Sequence, residues 1–186
     1  LREKMGLNDP FLIKYSRFLK NAVHGDLGTS YFFKRPALEV ILDKLVATLE
    51  LVFAAALIIV VVSIPLGVYS AIRPRSFLTK LIMAVSSIGI SIPVFLTAIM
   101  LMYLFSIQLG WLPAYGRGET YNLLGWESGF FTWDGILHLV LPAVSLSSIM
   151  LPLFIRLVRS EMLEQLSSEY VKFARAKGLD NNKVYY

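Results

Sequence analysis

The 186-residue chain has no cysteine, only two histidines, and charged residues at just 17% of its positions. Without cysteine, a disulfide framework and thiolate chemistry are both excluded. His24 and His138 lie in different segments, and no carboxylate set in the sequence joins the two, so no metal site is indicated. The sequence has no Gly-x-Ser-x-Gly nucleophile elbow; Gly89-Ile90-Ser91 is a fragment of one without its second glycine. It also has no Gly-x-x-x-x-Gly-Lys-Ser/Thr phosphate loop, and Gly178 is the only glycine after Gly135. A nucleotide-powered process would therefore draw its ATP-Mg from a partner, and this chain is expected to bind no cofactor. The shortage of charge is balanced by apolar content: 56% of residues are hydrophobic. That is above the roughly 45–50% of soluble domains, and it excludes disorder.

The apolar residues come in blocks. Residues 81–109 contain no Asp, Glu, Lys or Arg; residues 46–72 contain only Glu50, and residues 136–158 only Arg156. Each block exceeds the ~20 residues a helix needs to cross ~30 Å of hydrocarbon. The expected fold is an all-α, multi-pass membrane bundle with spans at about 46–72, 81–109 and 136–158. Between the first two spans, Arg73 to Lys80 carries three positive charges and no negative one, a cytoplasmic-loop pattern. Between the second and third, residues 110–135 hold one arginine, three acids, and Trp111, Tyr115, Trp126 and Trp133, which suits an outer interfacial belt. The segment after Val158 is basic and is expected to be cytoplasmic. Alternation then puts residues 1–45 outside, against their eight Lys/Arg and five acids; the short loop carries the stronger bias. The net charge of +5 thus reflects loops rather than nucleic-acid binding. Membrane lipid is the implied surrounding.

Residues 1–45 read as amphipathic. Asp9-Pro10 suits a helix start, with the helix running to about Val23. Gly25-Asp26-Leu27-Gly28 is a turn. Pro36 opens a second helix with Leu38, Ile41, Leu42 and Leu45 at helical spacing. Three spans with an extramembrane segment at each end are expected to be part of a larger bundle.

Two sets of residues stand out. Every span contains proline, and small or hydroxyl residues cluster beside it: Ser86, Ser87, Gly89 and Ser91 before Pro93, and Ser145, Ser147 and Ser148 after Pro142. Such faces serve either close helix packing or a weakly polar translocation path, which suits a solute transporter better than an ion channel. Glu50, one turn inside the first span, continues the polar side begun by Glu39 and Asp43 and reads as an interfacial residue.

The second set is Ser167 to Leu179. Ser167 or Ser168 can cap a helix; Glu169 and Lys177 complement its dipole, and Gly178 suits the left-handed stop. The expected helix carries Tyr170, Phe173, Ala174 and Lys177 on one face and Lys172, Arg175 and Ala176 on the other. At about ten residues it is marginal alone and needs a surface to dock on. That surface is either a groove on a soluble partner or anionic lipid.

Glu169-Tyr170-Val171-Lys172-Phe173-Ala174-Arg175-Ala176-Lys177-Gly178-Leu179 resembles the cytoplasmic EAA loop of binding-protein-dependent ABC importer permeases, in its dipeptide/oligopeptide branch. Three further stretches resemble the same branch in order: His24 to Ser30, Gly110 to Pro113, and His138 to Ala143 followed by Arg156 to Leu163. Aligned on Gly178, the general Glu-Ala-Ala-x-x-x-Gly pattern meets Lys172 and Phe173 at its first two positions, and only Ala174 and Gly178 match. The resemblance implies the type I importer transmembrane domain, with three of six spans present in a truncated domain from residue 46. It implies a periplasmic segment at 1–45 and a cytoplasmic coupling loop at 159–186. It implies a non-catalytic permease subunit in the bacterial inner membrane, working with a second permease, two ABC ATPase subunits and an extracytoplasmic solute-binding protein. The implied cargo is short peptides; glutathione, nickel chelates or another small solute are alternatives in the same branch. An intramembrane protease using Ser91 or Ser145 with His138, or a channel-like protein, are remote alternatives.

Overall fold

The computed structural model describes residues 10–123 and 126–179. Asp9, expected to cap the first helix, lies outside the described residues, as do positions 180–186. The described chain divides into two compact units, parting between Leu49 and Glu50.

In the first unit, α1 (Phe11–Val23) follows Pro10, which stands just before the helix and accepts the amides of Ile13 and Lys14 at 3.0 and 3.2 Å. The turn after it uses Gly25 and Gly28 at φ +83° and +82°, and the Asp26 carboxylate accepts the Gly28 amide at 2.9 Å. That is the Asx-type bond expected of such a sequence. α2 (Ala37–Ile72) begins directly after Pro36 and runs 36 residues without a break. The amphipathic helix expected from Pro36 and the span expected from Val46 are therefore one helix. Nothing between Leu45 and Val46 stops a helix; only the side-chain chemistry changes.

In the second unit, Ser76 caps α3 (Phe77–Ser91) by accepting the Leu78 amide, and Thr79 donates to the Arg73 carbonyl at 2.8 Å. α3 stops at Ile92, whose backbone is extended because Pro93 excludes the helical conformation from the residue before it. α4 (Val94–Leu101) departs at 107° and passes into a π-helical run, Met102–Gln108. The expected second span is thus a broken one. Among the described residues, two helices, α2 and α5, are long and apolar enough to cross a membrane, and the bent pair supplies a third span if counted as one. A two-stranded hairpin, β1 (Tyr121–Leu123) and β2 (Trp126–Ser128), pairs antiparallel with Asn122 opposite Glu127, a small exception to the all-helical expectation.

Thr132 caps α5 (Trp133–Ser167) by accepting the Gly135 amide at 3.0 Å. α3 and α4 pack on α5. The interior is built from small residues: Ala55, Ser63, Ser70, Ala71, Thr79, Ser86, Ala143, Ser145 and Ser147 are buried, while most large apolar side chains face outward. This pattern suits lipid, where exposing a leucine costs nothing and helices associate by close backbone approach. The approach is closest at Gly67, where a Cβ would stand 2.7 Å from Val158 Cβ and Cγ1.

Candidate functional site

α6 (Glu169–Ala176) is eight residues long and begins immediately after α5. The Ser167 and Ser168 hydroxyls donate backward, to the carbonyls of Glu164 and Gln165, so they close α5 rather than cap α6. Lys172 pairs with Glu169 at 2.9 Å, and Lys177 lies 4.5 Å over the Phe173 ring. The helix ends in a Schellman stop: Gly178 takes φ +81°, and the Leu179 amide bonds the Ala174 carbonyl at 3.3 Å. Val171, at 6% exposure, seats α6 on the rest of the unit, while Tyr170 and Phe173 stand 63% and 62% exposed. Tyr170 donates to Gln165 Oε1. Ala174 is half-buried, Ala176 and Leu179 are exposed, and the Arg175 side chain lies outside the described residues. Sequence reasoning named the exposed face and missed Val171, the apolar residue on the opposite side.

The small-residue set divides. Ser86 and Ser145 are buried, and Ser145 donates to the Leu141 carbonyl at 2.8 Å. Ser148, half-buried, donates to the Ser145 carbonyl at 2.7 Å. At Gly89 a Cβ would meet Pro152 Cγ at 3.4 Å, an ordinary packed contact. Ser87, Ser91, Pro93 and Pro142 are exposed. Ser87 and Ser91 share one face of α3, and Ser87 accepts the Arg156 guanidinium at 2.8 Å while donating to the Met83 carbonyl at 2.9 Å. Arg159 reaches the Ser70 carbonyl at 3.4 Å. Buried Ser145 and Ser147 thus return their hydroxyl protons to helix carbonyls, the usual way to hide a hydroxyl in a helix, whereas the buried Ser70 hydroxyl has no partner among the described residues. Of the exposed pair, Ser87 receives the charge of α5, and Ser91 donates to the Ser87 carbonyl at 3.3 Å.

A third cluster was not legible as a site. Glu50, expected as an interfacial residue, is buried within the protein at 5% exposure. Its Oε2 accepts Arg117 Nη2 at 3.2 Å and its Oε1 accepts the Gly129 amide at 2.9 Å. The signal available in the sequence was that Arg117 is the only cation in residues 110–135 and Glu50 the only acid in residues 46–72. Their separation of 67 positions hid the pairing.

A family model described as the binding-protein-dependent transport system inner membrane component matches residues 63–186. The chain belongs to that family, and is a multi-pass protein of the inner membrane. Curated relatives carry the peptide-permease resemblance. A dipeptide transport system permease protein of Alkalihalophilus pseudofirmus is 34% identical over 198 residues, covering 100% of this chain and 60% of the relative. An oligopeptide transport system permease protein of Bacillus subtilis is 40% identical, covering 99% of this chain and 57% of the relative. A probable D,D-dipeptide transport system permease protein of Escherichia coli is 36% identical, covering 96% and 56%. The chain spans less than two thirds of the length of these relatives.

Proposed function

We propose that this chain forms part of the membrane path of an ATP-driven importer of short peptides and transmits ATPase motion to that path through α6. The observation that carries the reading is α6 itself. It is a short helix with its own glycine stop, seated through Val171 and presenting the rings of Tyr170 and Phe173 at its exposed surface. An exposed aromatic pair beside Lys172 and Lys177 has the chemistry of a peg for a groove on a soluble partner. The family description and the names of the relatives support transport and peptide cargo.

In this reading the chain is non-catalytic, and ATP-Mg is held by two ABC ATPase subunits. A second permease completes the path, and an extracytoplasmic binding protein delivers the solute. The Arg73–Lys80 loop and α6 face the cytoplasm, and residues 110–135 face outside. Ser87, Ser91, Pro93 and Pro142 are the exposed candidates for the path, with Ser86, Gly89, Ser145 and Ser148 packed behind or beside them.

The test places a single cysteine at Ala176 in the full-length, otherwise cysteine-free permease, with single cysteines scanned over the candidate ATPase in native membranes. A specific crosslink whose yield changes with ATP is expected. No crosslink at any position, with the complex folded and abundant, refutes docking through α6.

A further inference from the structure

Glu50 costs stability where it stands. A carboxylate inside an apolar helix carries a large desolvation penalty unless it is paired and hydrogen-bonded. Here both oxygens are used, one by Arg117 and one by the Gly129 amide. Arg117 Nη2 also donates to the Glu127 carbonyl. One turn further along α2, the Phe53 ring meets Phe130 edge-to-face, with centroids 6.0 Å apart at 86°. An acid and an aromatic three positions apart on one helix thus grip two consecutive residues of the loop.

The loop is held from α5 as well. Asp134 Oδ2 accepts the Glu119 amide at 2.8 Å. Gly118, at φ +72°, lies so close to Asp134 and His138 that a Cβ would stand 2.6 Å from each. Gly129 abuts Gly135, where a Cβ would stand 2.3 Å from the Gly129 oxygen. The loop is therefore a bridge between α2 and the first turn of α5, and Glu50 is its attachment on the α2 side.

We infer that Glu50 is a positioning residue for transport: through Arg117 and Gly129 it locks the 117–130 loop to α2, so that loop and helix move together during the transport cycle. The inference rests on the transport reading above. A negative charge buried in a span would be an extravagant choice for packing alone. A neutral, well-packed side chain would hold the helix in lipid at no desolvation cost.

The experiment uses the full-length, cysteine-free transporter with its ATPases in nanodiscs. In a Phe130→Cys background, the rate of maleimide labelling is compared between native Glu50 and Glu50→Gln. Loss of the ionic half of the latch should speed labelling about tenfold, and solute uptake should fall in turnover with little change in the solute KM. In a Phe53→Cys/Phe130→Cys pair, a short bifunctional thiol reagent should then restore uptake to the Glu50→Gln protein, because a covalent tether replaces the latch.

Unchanged labelling overturns the inference. So does undiminished uptake. Uptake that stays lost when tethering is complete also overturns it, and would make Glu50 a group that acts on the solute itself. Should Glu50→Gln fail to assemble, Arg117→Gln removes the cation that Glu50 and the Glu127 carbonyl both receive, and the same rates are read. Faster labelling of the Glu50→Gln protein, with a native complex that takes up no peptide, would reject the transport reading and leave the latch standing.

Discussion

Gly67→Ala adds one methyl group where α2 meets α5 at Val158. The new Cβ would lie 2.7 Å from both Val158 Cβ and Cγ1 and 3.0 Å from the Ile155 carbonyl oxygen. Two of these three atoms cannot rotate away: Val158 Cβ is fixed by the backbone, and the Ile155 oxygen is backbone. α2 and α5 must therefore separate by several tenths of an ångström or more. Overpacking costs about 1–3 kcal/mol, and two fixed atoms at or under 3.0 Å put this substitution in the upper part of that range, about 2–3 kcal/mol. Replacing glycine inside a helix returns about 1 kcal/mol in propensity. The net expectation is destabilisation of about 1–2 kcal/mol, or a shift of roughly 5- to 30-fold in the folded-to-unfolded ratio. Reversible unfolding of the purified full-length protein in mixed micelles with increasing SDS reads this directly. Val158→Ala removes Cγ1 but leaves Cβ in place, so the double variant should recover only part of the loss, with a coupling above about 0.5 kcal/mol. A Gly67→Ala protein as stable as the native one would refute the close-packing argument for the whole small-residue interior.

Gly178→Val forces a β-branched residue to φ +81°, costing about 1–3 kcal/mol locally; α6 should fray, and the Ala176 crosslink yield should drop several-fold while membrane insertion is unaffected. Gly135→Ala drives a methyl group against the Gly129 backbone oxygen; limited proteolysis of the 110–135 loop should accelerate markedly, and unchanged digestion would contradict the tight seat described for the loop. Ser87→Ala removes the hydroxyl that receives Arg156; because both partners are exposed, stability should change by less than about 1 kcal/mol, so a large loss in the same SDS titration would mean the pair is buried in the assembled protein.

Much of the helical layout was readable from residue chemistry. Charge-free runs marked the spans and Gly178 marked the stop of α6, because each of these acts within a few residues of itself. The break at Pro93 was not readable: Pro65, Pro142 and Pro152 sit inside unbroken α2 and α5, so a proline alone does not end a helix, and the exit angle after Pro93 is set by packing against α5. The continuity of α2 was obscured because a change from amphipathic to apolar character was read as a boundary, whereas only backbone chemistry ends a helix. Within the site, the exposed Tyr170 and Phe173 followed from helical spacing. Val171 did not, since which side of a short helix is seated depends on the unit beneath it. Glu50 is the instructive miss. Its two near neighbours in sequence, Glu39 and Asp43, suggested a polar stripe, and the partner that decides its environment, Arg117, is brought in by a loop 67 positions away.

The length of α5 has a mechanical consequence. Its 35 residues rise about 52 Å at 1.5 Å each, against ~30 Å of hydrocarbon. With the span at about 136–158, the nine residues 159–167, about 14 Å of helix, stand clear of the apolar layer on the side of α6. With that overhang, every ~10° of tilt within the bilayer sweeps the tip through roughly 2–3 Å. Read in the other direction, a push of a few ångströms on α6 becomes an angular displacement of the whole rod, and the proline sites at 142 and 152 are the points along it where the arm has compliance.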